Sequence, residues 1–240
     1  MKGKRPAIMS GRSKQLTFAR TGGWGGKRRG AGRKNLSGTV NHMARPEVQA
    51  KWPLQITMRL APEVLSLRRQ SLLKAFADSA HGAKSFGLKV NEFSILGNHF
   101  HLIAEASSNE NLSRGMQSLL IRLAKSVTRL ARELNRPLTT AVFAGRYHLR
   151  VLKTPTEMKN ALAYVLLNEA KHGGRHPSLS VFSSSFRFKG WGHFKIKFST
   201  KEIQKIEDFW HELGRLEQSL STAESWLQRV GWQKSFRTNL

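Results

Sequence analysis

Residues 111–134 carry the strongest periodic signal in the chain. Leu112, Met116, Leu119, Leu120, Leu123, Val127, Leu130 and Leu134 recur at spacings of three and four, which places them along one face of an α-helix. A long helix with a single apolar stripe draws its stability from packing, so it needs a broad apolar partner. The opposite face carries Arg122, Lys125, Arg129, Arg132 and Arg136, with Glu133 the only acid between 111 and 134. Ion pairing at i,i+4 cannot absorb that stripe, and contact with nucleic acid is the expectation, a plain solvated face being the alternative.

The partner for this helix is read from the segments around it. "WPLQITMRL" (52–60), "LKVNEFSIL" (88–96), "HFHLIAEA" (99–106) and "YHLRVL" (147–152) have the apolar and β-branched character of strands. Residues 63–81 show apolar positions nearer a helical period, at Val64, Leu67, Leu72, Leu73, Ala75, Phe76 and Ala80. Gly97-Asn98 between the second and third strands makes a tight turn, both residue types tolerating positive φ. After the fourth strand, Thr154, Pro155 and Glu157 form an N-cap, a first-turn proline and a capping box. That helix runs through "EMKNALAYVLLNEAKH" to a stop at Gly173-Gly174. The order βαββαβ predicts an α+β fold: a ferredoxin-like split βαβ antiparallel sheet with helices on one face. The capped helix is an addition to that order.

Three regions follow. Residues 1–43 are a Gly-rich basic arm with no acid before Glu47, expected to be disordered. Its cluster of Lys27, Arg28, Arg29, Arg33 and Lys34 suits phosphate contacts through counterion release. A solubilising tail is the plainer alternative. Residues 44–175 hold the folded domain. Residues 176–240 form a C-terminal appendage, loop and then helix, with Ile203, Ile206, Phe209, Trp210, Leu213 and Leu216 placing the helix over 200–219.

A formal charge of +26, from 41 Lys and Arg against 15 Asp and Glu, attracts polyanions. With no cysteine the chain has no disulfide, thiolate metal site or Cys nucleophile. No apolar run approaches the roughly 20 residues of a membrane span, so no membrane partner is expected. The N-terminus lacks the apolar core of a secretory signal, although an Arg-rich, acid-free start also fits an organelle transit peptide.

The chemistry starts at "GNHFHLIAEA" (97–106). His99 and His101 are two apart on a strand, so both imidazoles share a face and can converge on one ion. Phe100, Leu102 and Ala104 point the other way, to the core. Two polar residues at a sheet edge are the alternative for so short a motif. In the capped helix, Met158, Leu162, Val165 and Leu166 mark the apolar face. Tyr164 and Asn168 lie four apart on another, where Tyr164 can face a cleft and Asn168 can offer an amide oxygen. Tyr147, in "GRYH", is the only other tyrosine and the rival nucleophile. Glu105 shares the histidine face and is a further candidate ligand or supporting contact.

These stretches resemble a known family. "GNHFHLIAEA" resembles the His-hydrophobe-His strand of single-tyrosine HUH transposases, the REP-associated tyrosine transposases above all. "ALAYVLLNEAKHGG" is similar to their nucleophile helix, and "FAGRYHLRVLKTPTE" to the segment before it. The Gly-rich arm also looks like arms found there. The resemblance covers roughly residues 44–175 and departs at Glu169, where many members carry proline. It implies a nuclease and strand transferase acting on single-stranded, hairpin-bearing DNA. Tyr164 would form a 5′-phosphotyrosine and leave a free 3′-OH. His99, His101 and Asn168 would hold Mg²⁺ or Mn²⁺, Mn²⁺ tolerating imidazole better and Zn²⁺ staying open. It further implies a monomer or homodimer in a bacterial cytoplasm, associated with the nucleoid. A nucleic-acid-binding protein on the same fold, without catalysis, is the second reading.

Overall fold

Four short apolar segments pair into one antiparallel sheet: β1 (Leu54–Arg59), β2 (Lys89–Ile95), β3 (His99–Glu105) and β4 (His148–Val151), in the order β2-β3-β1-β4. A computed structural model describes residues 45–168, 179–214 and 219–236 of this chain. Helix α1 (Gln70–Lys84) joins β1 to β2, and α2 (Asn109–Glu133) joins β3 to β4. The third strand is therefore inserted between the two strands of the first crossover, which is the split βαβ arrangement of the expected α+β fold. The arm, with Lys27, Arg28, Arg29, Arg33 and Lys34, lies outside the described residues.

Strand alternation gives the sheet two different faces. Phe100, Leu102 and Ala104 are fully buried with Phe76 of α1 and Met116, Leu119 and Leu123 of α2. This is the main core, and the two crossover helices cover it from one side. Gly115 lets α2 approach the connection between α1 and β2 closely, since a Cβ there would sit 2.2 Å from Leu88 Cβ. Ile103, on the other face of β3, packs instead with Met158, Ala161, Leu162, Val165 and Leu166 of α3 (Pro155–Leu166). So α3 lies across the sheet from α1 and α2. Each of its fully buried large side chains contributes up to about 1.5–3 kcal/mol.

Caps fix the helix starts. Thr154 and Glu157 form the expected reciprocal box on α3, and Ser108 caps α2 by accepting from Asn111 N at 3.2 Å. Helix α2 thus begins at Asn109, before the sequence reading placed it, and takes in Glu110. The span expected over 63–81 is shifted: α1 starts only at Gln70. Residues 63–69 form a loop held by a bond from Leu67 N to Gly97 O at 3.0 Å, which buries Leu67 without a helix. The Gly97-Asn98 turn is tight, with Leu96 N bonded to His99 O at 2.9 Å, yet neither residue is among those with positive φ. Its geometry is fixed from outside, because Leu67 N and Leu60 N take the carbonyls of Gly97 and Asn98.

The C-terminal segment covers the edge of β2. Ile95 N bonds to Phe182 O, Ser221 N to Val90 O, and Ser94 bridges Ser183, which protects an otherwise open strand edge. Helix α4 (Thr200–Leu213) sends Ile206, Trp210 and Leu213 into the main core. It ends six residues short of the expected 219, because Gly214 takes a left-handed cap at φ 72°. A four-residue helix, α5 (Trp226–Arg229), packs Leu227 with α3.

Candidate functional site

Cross-strand pairing assembles the floor of the site. His101 of β3 lies opposite Thr57 of β1 and Ser94 of β2, and Thr57 lies opposite His148 of β4. Opposed residues of a ladder share a face, so Ser94, His101, Thr57 and His148 form one row across the sheet. The next row holds His99 beside Arg59. The two imidazoles meet edge to face with ring centroids 4.8 Å apart, so the strand spacing does bring them together.

Helix α3 supplies the wall. Its apolar face is pinned over Ile103, which turns Tyr164 outward, and its ring lies 4.9 Å from that of His101 at an angle of 75°. Tyr164 is 38 % exposed, whereas His101 is 2 % exposed. The start of α3 is tied to β4 through Glu157, whose carboxylate accepts from Lys153 N at 2.8 Å and from Arg150 at 3.0 Å. The Lys153 backbone bond, aided by Arg150 and Thr154, holds that carboxyl below its ordinary pKa.

Ring orientation follows from hydrogen bonds. Thr57 Oγ1 lies 2.8 Å from His101 Nδ1, and Asn98 Oδ1 lies 2.7 Å from His99 Nδ1. With Nδ1 of each ring engaged, a metal would be taken through Nε2, the usual arrangement for an oriented imidazole ligand. The donor set therefore suits an ion that accepts imidazole. Among the described residues, no group of three or more His, Cys, Asp or Glu could hold a metal, and the third ligand expected from the sequence, Asn168, is an amide. Asn168 lies beyond the end of α3, after Leu167 with φ −106° and ψ 11°, so the continuous helix expected to carry both Tyr164 and Asn168 is interrupted. It is 2 % exposed, and its Nδ2 has no hydrogen-bond partner among the described residues. Gly173-Gly174 and Glu169 lie outside those residues.

Other candidates are elsewhere. Tyr147 packs on the main core, across the sheet from the imidazoles, with the Arg45 guanidinium 3.8 Å from its ring centre. Burial raises its pKa despite Arg45 and Arg146 nearby, which opposes its use as a nucleophile. Glu105 is buried under the C-terminal segment and accepts from Glu224 N and Ser225 N, both at 2.8 Å. It anchors the C-terminal chain through both carboxylate oxygens.

The basic stripe of α2 is on the opposite side of the sheet from Tyr164. Arg122, Lys125 and Arg129, with Lys74 and Arg114, line a groove of about 920 Å³ between α1 and α2. Arg132 and Arg136 stand outside it. Two residues of the helix do find acids: Arg129 pairs with Glu133 at 3.9 Å and Arg114 with Glu110 at 3.5 Å. Both pairs are exposed and contribute little, so the stripe keeps its positive field.

Thr57, Arg59 and His148 were not singled out from sequence. Their place beside the histidines depends on which strands are neighbours and in which register, and no local motif encodes that. No protein-family model matches the chain, and no curated protein matches it. Among solved structures, the chain is similar to one described as a REP-associated tyrosine transposase bound to a REP hairpin. That match has a TM-score of 0.48 and 16% identity, covering 64% of this chain and 87% of the other.

Proposed function

We propose that the protein is a metal-dependent endonuclease and strand transferase that acts on single-stranded, hairpin-bearing DNA through Tyr164. The observation that carries this reading is the contact series Tyr164–His101–His99 on the face of the sheet that α3 covers. An exposed phenol beside two oriented imidazoles is the combination that phosphodiester transesterification needs: a nucleophile, and ligands for an ion at the phosphate.

Tyr164 Oη attacks phosphorus, forming a phosphotyrosine while the bond from phosphorus to the 3′-oxygen breaks. The released 3′-OH is the acceptor for a later strand transfer. His99 and His101, with Asn168, would hold Mg²⁺ or Mn²⁺, which when bound polarises the non-bridging oxygens and offsets their developing charge. Thr57 and Asn98 orient the two imidazoles, and Arg59 adds positive charge beside His99. The groove with Arg122, Lys125 and Arg129 gives the DNA backbone a second surface, and Arg132, Arg136 and the arm residues Lys27, Arg28, Arg29, Arg33 and Lys34 extend the attraction.

The test is a labelled hairpin-bearing single strand incubated with the protein and Mn²⁺, then run on a denaturing gel. A covalent adduct is expected, lost in Tyr164→Phe and with EDTA. An adduct that persists in Tyr164→Phe and vanishes in Tyr147→Phe refutes the assignment. The basic groove between α1 and α2 supports one other reading, a DNA-binding protein without catalysis. It predicts tight hairpin binding and no adduct.

A further inference from the structure

Trp226 is 53 % exposed, the most exposed of the large apolar side chains among the described residues. It is not loosely held. Gly231 lies behind its ring, where an added Cβ would come within 2.6–2.9 Å of three ring atoms. Lys234 Nζ sits 5.0 Å from its ring centre, and the exposed Arg229 ends the same short helix. Of the acids nearby, Glu224 is paired with Lys89, and Glu105 is buried and taken up by the backbone N–H groups of Glu224 and Ser225. The result is a rigid indole face in a positively charged frame.

The chain that carries this face is anchored to the sheet by Glu105. That carboxylate is on the same strand face as His101, four residues further along β3, and it binds the backbone immediately before Trp226. Base stacking on an aromatic ring flanked by cations is how single strands are held without sequence readout.

We infer that Trp226, with Lys234 and Arg229, is a stacking platform for an unpaired base of the single strand. This rests on the single-stranded DNA reading above. Charge complementarity selects the occupant: apolar protein partners and lipid tails gain nothing from Lys234 over the ring, whereas a base with its phosphate uses both.

The experiment titrates a labelled oligo-dT strand of about 12 nucleotides with the full chain at several salt concentrations, reading anisotropy. Trp226→Ala is expected to weaken binding about five- to a hundredfold by a similar factor at every salt, with Trp226→Phe retaining most of the affinity. Lys234→Gln is expected to reduce the salt slope by about 0.7, the single-strand value for one phosphate contact. A duplex of the same length should bind wild type and Trp226→Ala equally. The inference is overturned if Trp226→Ala binds the strand as tightly as wild type, or loses strand and duplex alike. It is also overturned if the variant loses only binding to anionic vesicles, which would assign the ring to a membrane surface. Should Trp226→Ala fail to fold, an unchanged slope in Lys234→Gln overturns it. A wild-type chain that binds no single strand overturns this inference and the proposed substrate together, whereas normal adduct formation with unchanged Trp226→Ala binding overturns this inference alone.

Discussion

Replacing Thr57 by valine tests whether the imidazole at the centre of the site is oriented by the neighbouring strand. Valine has nearly the shape of threonine, so β1 keeps its packing and only the hydroxyl is removed. That hydroxyl lies 2.8 Å from His101 Nδ1, and His101 is 2 % exposed, so water cannot readily replace it. Leaving a buried ring nitrogen without this partner costs about 1–3 kcal/mol, which at this chain length lowers Tm by roughly 2–10 °C. A second consequence is specific to the proposed role. When Nδ1–H donates to Thr57 Oγ1, Nε2 carries the lone pair that a metal needs, and loss of such a supporting bond weakens metal binding by about 10- to 100-fold. Calorimetric titration with Mn²⁺ should show that loss in Thr57→Val and little loss in Thr57→Ser, which keeps the hydroxyl but loses a methyl. Equal Mn²⁺ affinity in wild type and Thr57→Val would refute the orienting role. A wild-type chain that takes up no Mn²⁺ would refute the ligand pair itself.

Glu105→Ala should destabilise the fold by about 2–4 kcal/mol in denaturant titrations, because one buried and one part-buried backbone N–H group lose a shared carboxylate. Hydrogen exchange should then rise over residues 221–236 before it rises in β3, and uniform exchange would contradict the anchoring role. Glu92 gives a pH dependence. Burial pushes its carboxyl up to about 7 from the usual 4.5, against the opposing pull of the Ser184 hydroxyl 2.6 Å away and of Arg187. A raised carboxyl contributes most below the unfolded value, so stability should fall as pH rises from about 4.5 to 7, by about 3 kcal/mol at most. Thermal unfolding of Glu92→Gln should lack that slope, and parallel wild-type and variant curves would show that Glu92 is not its source.

The features legible in the sequence were those written in local periodicity and caps. The alternation at 99–104 correctly separated the His99 and His101 face from Phe100 and Leu102, because a strand has only two faces. The threonine, proline and glutamate at 154–157 correctly marked the start of α3, because a capping box is complete within four residues. The errors fell where distant chain intervenes. Apolar Val64 and Leu67 looked helical, but Leu67 is buried by docking on the β2–β3 turn. The tight turn expected at Gly97-Asn98 is present, but its geometry comes from outside N–H groups that hold the two carbonyls rather than from positive φ. The helix over 200–219 was read through Gly214, whose left-handed cap ends it.

The sequence by itself determined the element order, the two-faced third strand, the outward-facing tyrosine of a capped helix and the excess of positive charge. Each depends on residues within a few positions of one another, or on simple sums. Only the tertiary structure decided that α3 lies across the sheet from α1 and α2, which brings Tyr164 to His101 and sends the basic stripe to the far side. It also decided that Thr57, Arg59 and His148 join the histidines and that Glu105 serves the C-terminal segment. Strand register and the choice of sheet face are set by packing between residues dozens of positions apart. That energy is spread over many side chains, so no single stretch of sequence records it.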